Sequence, residues 1–540
     1  MQKNISHSVY RNEGFSTIEL LIAFSVGMVF LTAALLVSYS DPTLARQISL
    51  DSGQATALDA VLDTNALSTS TNRIGGIVSS LGSNWNAIFS SNSDTSYTIT
   101  PTVTDISPCF KEVIDVTTWN TFGRTGRTMT FGTGIGNLDI AKALGRGGCD
   151  PTPSSGWATP VDDPNAAINV SGADNGTDIA VRSFNGKRYA FITSNPSGGG
   201  PKKEFSVIDV ADNNIQPSDL KTTLNKDKGL LGLVVVGNYA YVLNNDTTGN
   251  QLQIIDLTNP EAATKLPTAY TFPNLTCSYN SNTCQRVGRS IAYYNGYLFI
   301  GTGSSQAGGT NNHEFFIYCI NDTSVAGCSP TTPVFRSSLN IDHNINDIAI
   351  KDGYAFLATS ADYGELTVID ITSKTAPSLP PNYITTPNTN NRKFNAPATN
   401  GTEEDGTSVY VLGDYAYLGR EKVDKSAERE FYVLNISNLT AITSTGAMSF
   451  NMTNSAAKIS GIVVQGKTAF LSTYDSNKSF YIVDLSTPTA PKLLNSCSDD
   501  INTSQWSTAL EFKDNQAYLV HAQGSVFLKI VYDNGNACTP

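Results

Sequence analysis

The sequence predicts a mainly β protein, in which a long N-terminal α-helix and a small α+β head precede a seven-bladed β-propeller. Three observations predict this fold: an apolar run of membrane length near the N-terminus, short β-branched segments between residues 96 and 133, and a strand–turn–strand pattern that recurs seven times after residue 170. We divide the chain into five segments: a leader (1–14), an apolar helix (15–40), the remaining helix with the head (41–150), a linker (151–165) and the propeller (166–540).

The N-terminal segment joins a polar leader to an apolar helix that begins with an acidic residue. The leader ends at Gly14, and the apolar run extends from Ile18 to about Val37, close to the roughly 20 residues that cross a bilayer. A secretory signal has a shorter apolar stretch and a small-residue cleavage site, which this segment lacks. Because a carboxylate in such a helix is costly, Glu19 indicates a function.

The stretch GFSTIE at 14–19, with the leader before it, resembles the prepilin signature of type IV pilins and pseudopilins. The resemblance implies that a prepilin peptidase cuts after Gly14 and that the new N-terminal residue, Phe15, is N-methylated. It also implies that Glu19 meets a neighbouring pilin subunit's N-terminus as a filament assembles. Lys3 and Arg11 are expected to hold the leader inside, so that the chain crosses the bacterial inner membrane once before it joins an extracellular pilus at the cell surface.

The predicted stem and head lie between the apolar run and residue 150. We expect the helix to continue from Ser16 to about Ala66, with an amphipathic second half and a kink or local loss of helix at Pro42. Short strands are predicted in SYTITPTVTD, KEVIDVTTW and RTMTFGT. The resemblance to pilins implies that Cys109 and Cys149 close the loop after this sheet. The stretch DPTPSSGW at 150–157 is typical of a linker.

Beyond the linker, one pattern recurs: an apolar strand, a tight turn, a second strand, a loop, and an apolar strand that often ends in Asp. Its matched small positions are separated by 50, 58, 57, 61, 53 and 48 residues: Ala190, Ala240, Leu298, Ala355, Ala416, Ala469 and Ala517. Asn-Gly, Asp-Gly and similar pairs supply the positive-φ residues of two-residue hairpins. Repeated four-stranded units predict a propeller with seven blades, since a two-sheet sandwich array would not need seven in-phase copies. We expect AAINVSG at 166–172 to supply a missing strand and close the ring.

The phrase IVDLSTPTAPKLL at 482–494 resembles the LVIVD family of bacterial propeller repeats, and the resemblance covers roughly residues 170–535. Aromatic residues recur at matched strand positions, where packing between blades is the simplest interpretation: Tyr239, Tyr241, Tyr297, Tyr354, Tyr415 and Tyr417.

Net charge and cysteine content argue against some classes of function. The formal charge of −12 argues against a general nucleic-acid-binding surface. The eight cysteines form sequence-local pairs, which suits disulfides in an exported protein better than metal binding, because the sequence has no C-x-x-C and only four histidines. The expected pairs are Cys109 with Cys149, Cys277 with Cys284, Cys319 with Cys328, and Cys497 with Cys538.

Long insertions predict where a ligand would bind. In a propeller, the hairpin turns and the connections to outer strands share one face, and the remaining loops share the other. The insertions at 258–289, 301–314, 372–407 and 419–430 are assigned to the second face, where we place any ligand site. His313, His343 and His521 lie in or between different copies without metal-binding spacing. Acidic loops at 244–250, 360–365 and 473–479 could offer oxygens to calcium but match no EF-hand, so no metal or cofactor is predicted.

Together, these observations favour a large, minor type IV pilin-like subunit that displays a propeller outside the cell for adhesion or ligand recognition. No catalytic motif occurs, so we do not predict an enzyme. Three alternatives remain open: a filament-tethered enzyme, the main structural subunit of a decorated pilus, and a type II secretion pseudopilin.

Overall fold

A computed structural model describes part of the chain, and all structural statements concern this part. The described residues are 96–107, 110–121, 124–136, 157, 160–161, 165–171, 175–196, 202–212, 214–225, 228–246, 250–273, 287–303, 313–362, 364–379, 392–397, 404–422, 429–450, 452, 456–475, 478–494, 506–522 and 526–533. The chain divides into two compact units, residues 1–140 and 141–540. The predicted N-terminal helix lies outside the described residues.

The described part of the first unit is a three-stranded antiparallel sheet with sequential strand order. Its strands are β1 (Ser96–Ser107), β2 (Phe110–Thr121) and β3 (Arg124–Gly136). Val103 of β1 pairs with Val113 of β2, which in turn pairs with Thr133 of β3. These strands contain the three segments that the sequence predicts for the head.

The second unit is a propeller with seven antiparallel blades, each formed by strands that are consecutive in the chain except at the point of closure. The closing segment contains β4 (Pro160–Val161) and β5 (Ala167–Ile168). Blades one to three comprise β6 (Gly176–Phe184), β7 (Lys187–Ser194), β8 (Phe205–Asp209), β9 (Leu220–Leu224); β10 (Leu230–Val236), β11 (Tyr239–Asn244), β12 (Leu252–Asp256), β13 (Thr264–Tyr270); and β14 (Gly288–Tyr294), β15 (Tyr297–Thr302), β16 (Phe315–Cys319), β17 (Val334–Leu339).

Blades four to six repeat this arrangement, and blade seven has three strands of its own. They comprise β18 (Ile345–Lys351), β19 (Tyr354–Thr359), β20 (Leu366–Asp370), β21 (Lys393–Phe394); β22 (Gly406–Leu412), β23 (Tyr415–Arg420), β24 (Phe431–Asn435), β25 (Thr443–Met448); β26 (Ile459–Gln465), β27 (Thr468–Thr473), β28 (Phe480–Asp484), β29 (Lys492–Leu493); and β30 (Ser507–Lys513), β31 (Gln516–His521), β32 (Leu528–Asp533). Three 3₁₀ helices precede outer strands: Pro217–Asp219, Pro260–Ala262 and Leu439–Ala441.

The ring closes as the sequence predicts, through a strand from before the first repeat. Ala167 and Ile168 of β5 pair with Lys529 and Leu528 of β32, and β4 extends this pairing to Tyr532 and Asp533. Since the chain enters and leaves the propeller in the same blade, backbone hydrogen bonds join the two ends of the ring.

All seven hairpins between first and second strands have two-residue turns, on what we call the first face. Asn295 and Gly296 both have positive φ, as do Asp352 and Gly353, which fits type I′ turns. In blades two, five and six a positive-φ glycine opens the turn instead. These residue pairs therefore fix the register of the inner strands.

The connections from third to outer strands also lie on the first face, and a carboxylate or amide begins most of them. The residue that ends the third strand accepts a hydrogen bond from the backbone N–H two positions later, as in Asp209 to Ala211, Asp256 to Thr258, Asp370 to Thr372, Asn435 to Ser437 and Asp484 to Ser486. Such an Asx turn explains why the recurring phrase ends in Asp. In blade three Cys319 holds this position and forms a disulfide with Cys328, with Cα atoms 5.7 Å apart.

The hydrophobic core is divided into layers between neighbouring blades. The layer between blades seven and one, for example, contains Tyr518, Val520 and Ile530 against Ile192 and Ile208. The aromatic residues expected to pack between blades are buried or half-buried there, with Tyr241 and Tyr417 at 0% and 4% exposure.

Two sequence assignments need correction. Trp157, which we assign to the linker, is 2% exposed and packs on Phe470 and Phe512 of blades six and seven. Parts of two insertions belong to outer strands or first-face connections rather than to the second face: 258–270 contains a 3₁₀ helix and β13, and Ser378 and β21 pair with β20. The sequence repeat does not reveal the outer strands, because they are largely exposed and lack apolar alternation.

Candidate ligand-binding site at the mouth of the second face

The second face has a repeated backbone feature around the central channel. In every blade, the residue after the second strand donates its N–H to the carbonyl oxygen of the residue just before the first strand, at 2.8–3.3 Å. The pairs, which we call the mouth pairs, are Asn195–Asn175, Asn245–Gly229, Gly303–Val287, Ser360–Asn344, Glu421–Asp405, Tyr474–Lys458 and Ala522–Trp506. Since the first strands contact one another around the ring, these pairs surround one mouth of the channel.

A second set of hydrogen bonds joins neighbouring blades just inside the mouth. The second residue of a first strand donates its side chain to the first carbonyl of the next blade's first strand. These bonds run from Thr177 to Leu230, Asn346 to Gly406, Thr407 to Ile459, Ser460 to Ser507 and Thr508 to Gly176, at 2.6–2.8 Å. The last one crosses the point of ring closure. The side chains in this part of the channel wall therefore serve to join neighbouring blades.

Buried carboxylates hold the loops that lead to the mouth. In blades one to five, a Glu or Gln directly before the third strand accepts a backbone N–H from the loop after the outer strand. The pairs are Glu204 with Gly229, Gln251 with Phe272, Glu314 with Ile341, Glu365 with Ala396 and Glu430 with Phe450. Each acceptor residue is at most 3% exposed. We call this contact the loop clamp.

The side chains at the mouth do not follow the repeat. Blades one and two present asparagines, whereas blade five presents Asp405 and Glu421 and blade six presents Lys458. Backbone geometry is thus constant around the ring while side-chain chemistry varies, which is the arrangement expected where a scaffold supports a binding surface.

The charged part of the mouth is electrostatically connected. Burial, together with the nearby Glu421 and Asp362, raises the pKa of Asp405 to about 6, while Arg289 and Lys458 oppose the increase. Burial lowers the pKa of Lys458. Arg289 reaches solvent, although the surrounding protein lowers its pKa too. Perturbed groups of both signs that influence one another are a recognised mark of functional sites.

The three histidines beyond the leader lie apart in the fold. His313 contacts Ser338 within blade three through its Nδ1, 2.6 Å from Oγ. His343 lies in the loop between blades three and four, and burial lowers its pKa. His521 ends β31 and is 1% exposed. Among the described residues, no group of three His, Cys, Asp or Glu side chains could hold a metal ion.

Several predicted site residues fall outside the described part of the chain. These are Gly14, Phe15 and Glu19, together with Cys109, Cys149, Cys277, Cys284, Cys497 and Cys538. Within the described residues, no helix has the length and apolar character needed to cross a membrane.

Sequence reasoning missed the mouth pairs, although a signal for them exists. Each pair flanks a hairpin, one residue before its first strand and one after its second. Once strand ends are known, the positions can be read directly from the repeat alignment. Because their side chains differ from copy to copy, no shared motif marks them.

Comparison with known proteins supports the repeat assignment. The family model for the LVIVD repeat matches residues 232–264, 344–385, 405–448 and 458–499. These segments fall on blades two, four, five and six. No curated protein sequence matches the chain.

Two solved structures are similar to the chain at low identity. BamB from Moraxella catarrhalis is 10% identical with a TM-score of 0.37, over 70% of this chain and 97% of that one. The periplasmic gluconolactonase of Pseudomonas aeruginosa is 8% identical with a TM-score of 0.41, over 64% of this chain and 99% of that one. At these sequence identities and TM-scores, neither the ligand nor the activity of those proteins can be assigned to this chain.

Proposed function

We propose that the chain is a type IV pilin-like subunit that carries a propeller to the cell surface, where the second-face mouth binds a ligand or a surface. The observation that carries the binding part is the mouth itself: seven equivalent pairs of backbone positions bear non-equivalent side chains, with charged groups concentrated in blades five and six. The filament part rests on Gly14, Phe15 and Glu19 in the sequence.

The propeller fold is suited to presenting a binding surface outside the cell. Ring closure and the hydrogen bonds between first strands make the mouth a rigid platform, and rigid elements hold binding residues in fixed relative positions. The partners that this proposal requires are a prepilin peptidase, other pilin subunits, the inner membrane before assembly, and an extracellular ligand.

Attachment of cells that produce the full chain tests this proposal. We expect Glu19→Ala to be processed at Gly14 but to be absent from sheared filaments, and the cells to attach to surfaces less well. Gly14→Leu should leave the leader uncut. Normal attachment by cells whose filaments lack the chain would contradict the proposal.

A second candidate is a filament-tethered hydrolase, which one observation favours. Asp405, with a pKa raised to about 6, shares a mouth pair with Glu421, and two neighbouring carboxylates can divide the acid and base roles. Asp405→Asn would then abolish turnover of a bound ligand while leaving its affinity nearly unchanged. Binding without turnover at any pH would exclude this candidate.

A further inference from the structure

An aromatic pair stands at the mouth beside the charged side chains. Tyr474 of blade six and Trp506 of blade seven have ring centroids 4.6 Å apart and planes inclined at 40°. Both are half-buried members of mouth pairs, so each remains partly accessible. The indole Nε1 of Trp506 has no hydrogen-bond partner, which is unusual for a shielded donor.

A second unpartnered polar group lies at the end of β31, in the same blade as Trp506. Both ring nitrogens of His521 lack a hydrogen bond, although the side chain is 1% exposed. The Trp506 carbonyl lies close enough to affect the imidazole, but their geometry is not that of a hydrogen bond. Burial lowers the pKa of His521 to about 3, so the ring is neutral. Unpaired buried polar atoms are costly, so both residues are exceptions within blade seven.

The groups around the aromatic pair determine which ligand fits. Tyr474 shares its mouth pair with Lys458, and Lys458 interacts electrostatically with Glu421, Arg289 and Asp405. With Asp362, three carboxylates face two cations in this region. Because positive and negative charges nearly balance, this region offers many hydrogen-bond donors and acceptors without favouring a strongly charged ligand.

We propose that the Tyr474–Trp506 side of the mouth binds a neutral pyranose unit of a glycan. A pyranose ring has an apolar C–H face that packs on aromatic rings, whose faces are electron-rich. Its hydroxyl groups both donate and accept hydrogen bonds, so they match Lys458, Asp405 and Glu421. This inference rests on the proposed function and specifies the ligand class of the same mouth.

Other ligand classes fit less well. A nucleic acid or acidic polysaccharide would meet the carboxylates of blade five and a chain of net charge −12. A lipid surface requires a broad apolar patch, whereas two aromatic residues here are surrounded by charged groups. A neutral sugar needs only one small apolar platform and a polar rim.

The test uses the full chain in a detergent without a sugar headgroup, such as lauryldimethylamine oxide. Neutral oligosaccharides (cellotetraose, chitotetraose, mannotetraose and galactotetraose) and the acidic trigalacturonate are titrated by calorimetry and by tryptophan fluorescence. We expect one or more neutral probes to bind. Trp506→Ala should weaken that binding by about tenfold or more, whereas Trp506→Phe retains most of it. Tyr415→Ala, at a half-buried tyrosine of the first face, is the matched control and should bind like the unaltered chain.

Each other outcome overturns the inference. Failure of every neutral probe, binding of trigalacturonate alone, or unchanged affinity in Trp506→Ala contradicts a neutral-sugar site. The attachment assay separates this from the proposed function. If Trp506→Ala cells attach normally through filaments that contain the chain, the glycan inference fails and the filament function stands. If the chain never enters filaments, the filament function fails whatever the probes show.

Discussion

Arg420 and Glu365 form an ion pair in the interior of the propeller, between blades five and four. Their side chains are 0% and 1% exposed, and Nη2 lies 3.1 Å from Oε1 at an angle outside hydrogen-bonding geometry. Glu365 also accepts the N–H of Ala396, and Arg420 donates to the carbonyl of Glu404, beside Asp405. The pair thus connects one loop clamp to the charged part of the mouth.

Removing one partner of this pair should destabilise the propeller strongly. We expect Arg420→Met to lower the free energy of unfolding by roughly 3–5 kcal/mol, because it leaves Glu365 buried without its cation. Chemical denaturation followed by circular dichroism measures this. Arg420→Met with Glu365→Gln should recover much of the loss. The control is Lys187→Met, which breaks the exposed ion pair to Glu261 and should change the melting temperature little. Equal effects of the two single substitutions would contradict this account.

Asp405 should make stability depend on pH. Its folded-state pKa of about 6 lies above the ordinary value of 3.8, so the folded state binds its proton more tightly than the unfolded state does. The associated stabilisation is present below about pH 4 and is lost as the pH rises through 6. Relative to the unaltered chain, Asp405→Asn should therefore gain melting temperature as the pH increases from 4 to 7.5. A difference between the two that stays constant with pH would refute the shift.

At the scale of structural elements, the loop clamp holds irregular loops at fixed positions. Glu314 accepts N–H groups from both Ile341 and Asp342, at 2.8 and 3.1 Å, in the loop that leads to the Asn344 mouth pair. Blade two uses Gln251 in the same role, so an amide oxygen can replace the carboxylate. In blade six, Ser479 stands at the equivalent position, directly before the third strand.

Glu314→Ala should loosen the loop between blades three and four. The buried Ile341 N–H loses its acceptor and the Asp342 N–H keeps only Asn340 Oδ1, which should cost roughly 1–3 kcal/mol and increase hydrogen exchange, most of all at Ile341. Mass spectrometry of exchanged peptides measures the change. Glu314→Gln should retain most of the protection, since it keeps the acceptor. Unchanged exchange in Glu314→Ala would mean that the clamp does not hold the loop.

Prediction from sequence succeeds at the inner strands and fails where burial or pattern is weak. The Asn295–Gly296 and Asp352–Gly353 turns are local and determine their own geometry. Outer strand β13 is mostly exposed and carries no apolar alternation, so its residues were assigned to a loop. The aromatic pair at the mouth joins residues from two blades, and the Arg420–Glu365 contact depends on packing between blades. No local pattern contains such information.

At the scale of the whole molecule, closure of the ring depends on the segment before the first repeat. The last repeat ends near its third strand, which predicts that a segment before the first repeat, AAINVSG, supplies the missing strand; β5 lies within it. Trp157 was missed because its neighbours are Pro, Ser and Gly, although it is buried between blades six and seven and donates its Nε1–H to Asn515 at 2.8 Å. It therefore holds the chain's entry point against the first-face turn of blade seven.

Trp157→Ala should weaken the propeller as a unit. Loss of a buried indole from an aromatic cluster typically costs about 3–5 kcal/mol, and here it also removes the hydrogen bond to Asn515. Thermal unfolding should shift downwards, and limited proteolysis should cut first near residues 150–170. Trp157→Phe should recover much of the packing but not the hydrogen bond. A melting temperature equal to that of the unaltered chain would show that the segment is not part of the closure.

Mass spectrometry of sheared and purified filaments directly tests the proposal that a filament carries this propeller. We predict a peptide that begins at N-methylated Phe15, together with peptides from all seven blades in the same filament fraction. Chains that retain Met1 and remain in the membrane fraction, with no propeller peptides in the filaments, would contradict the claim.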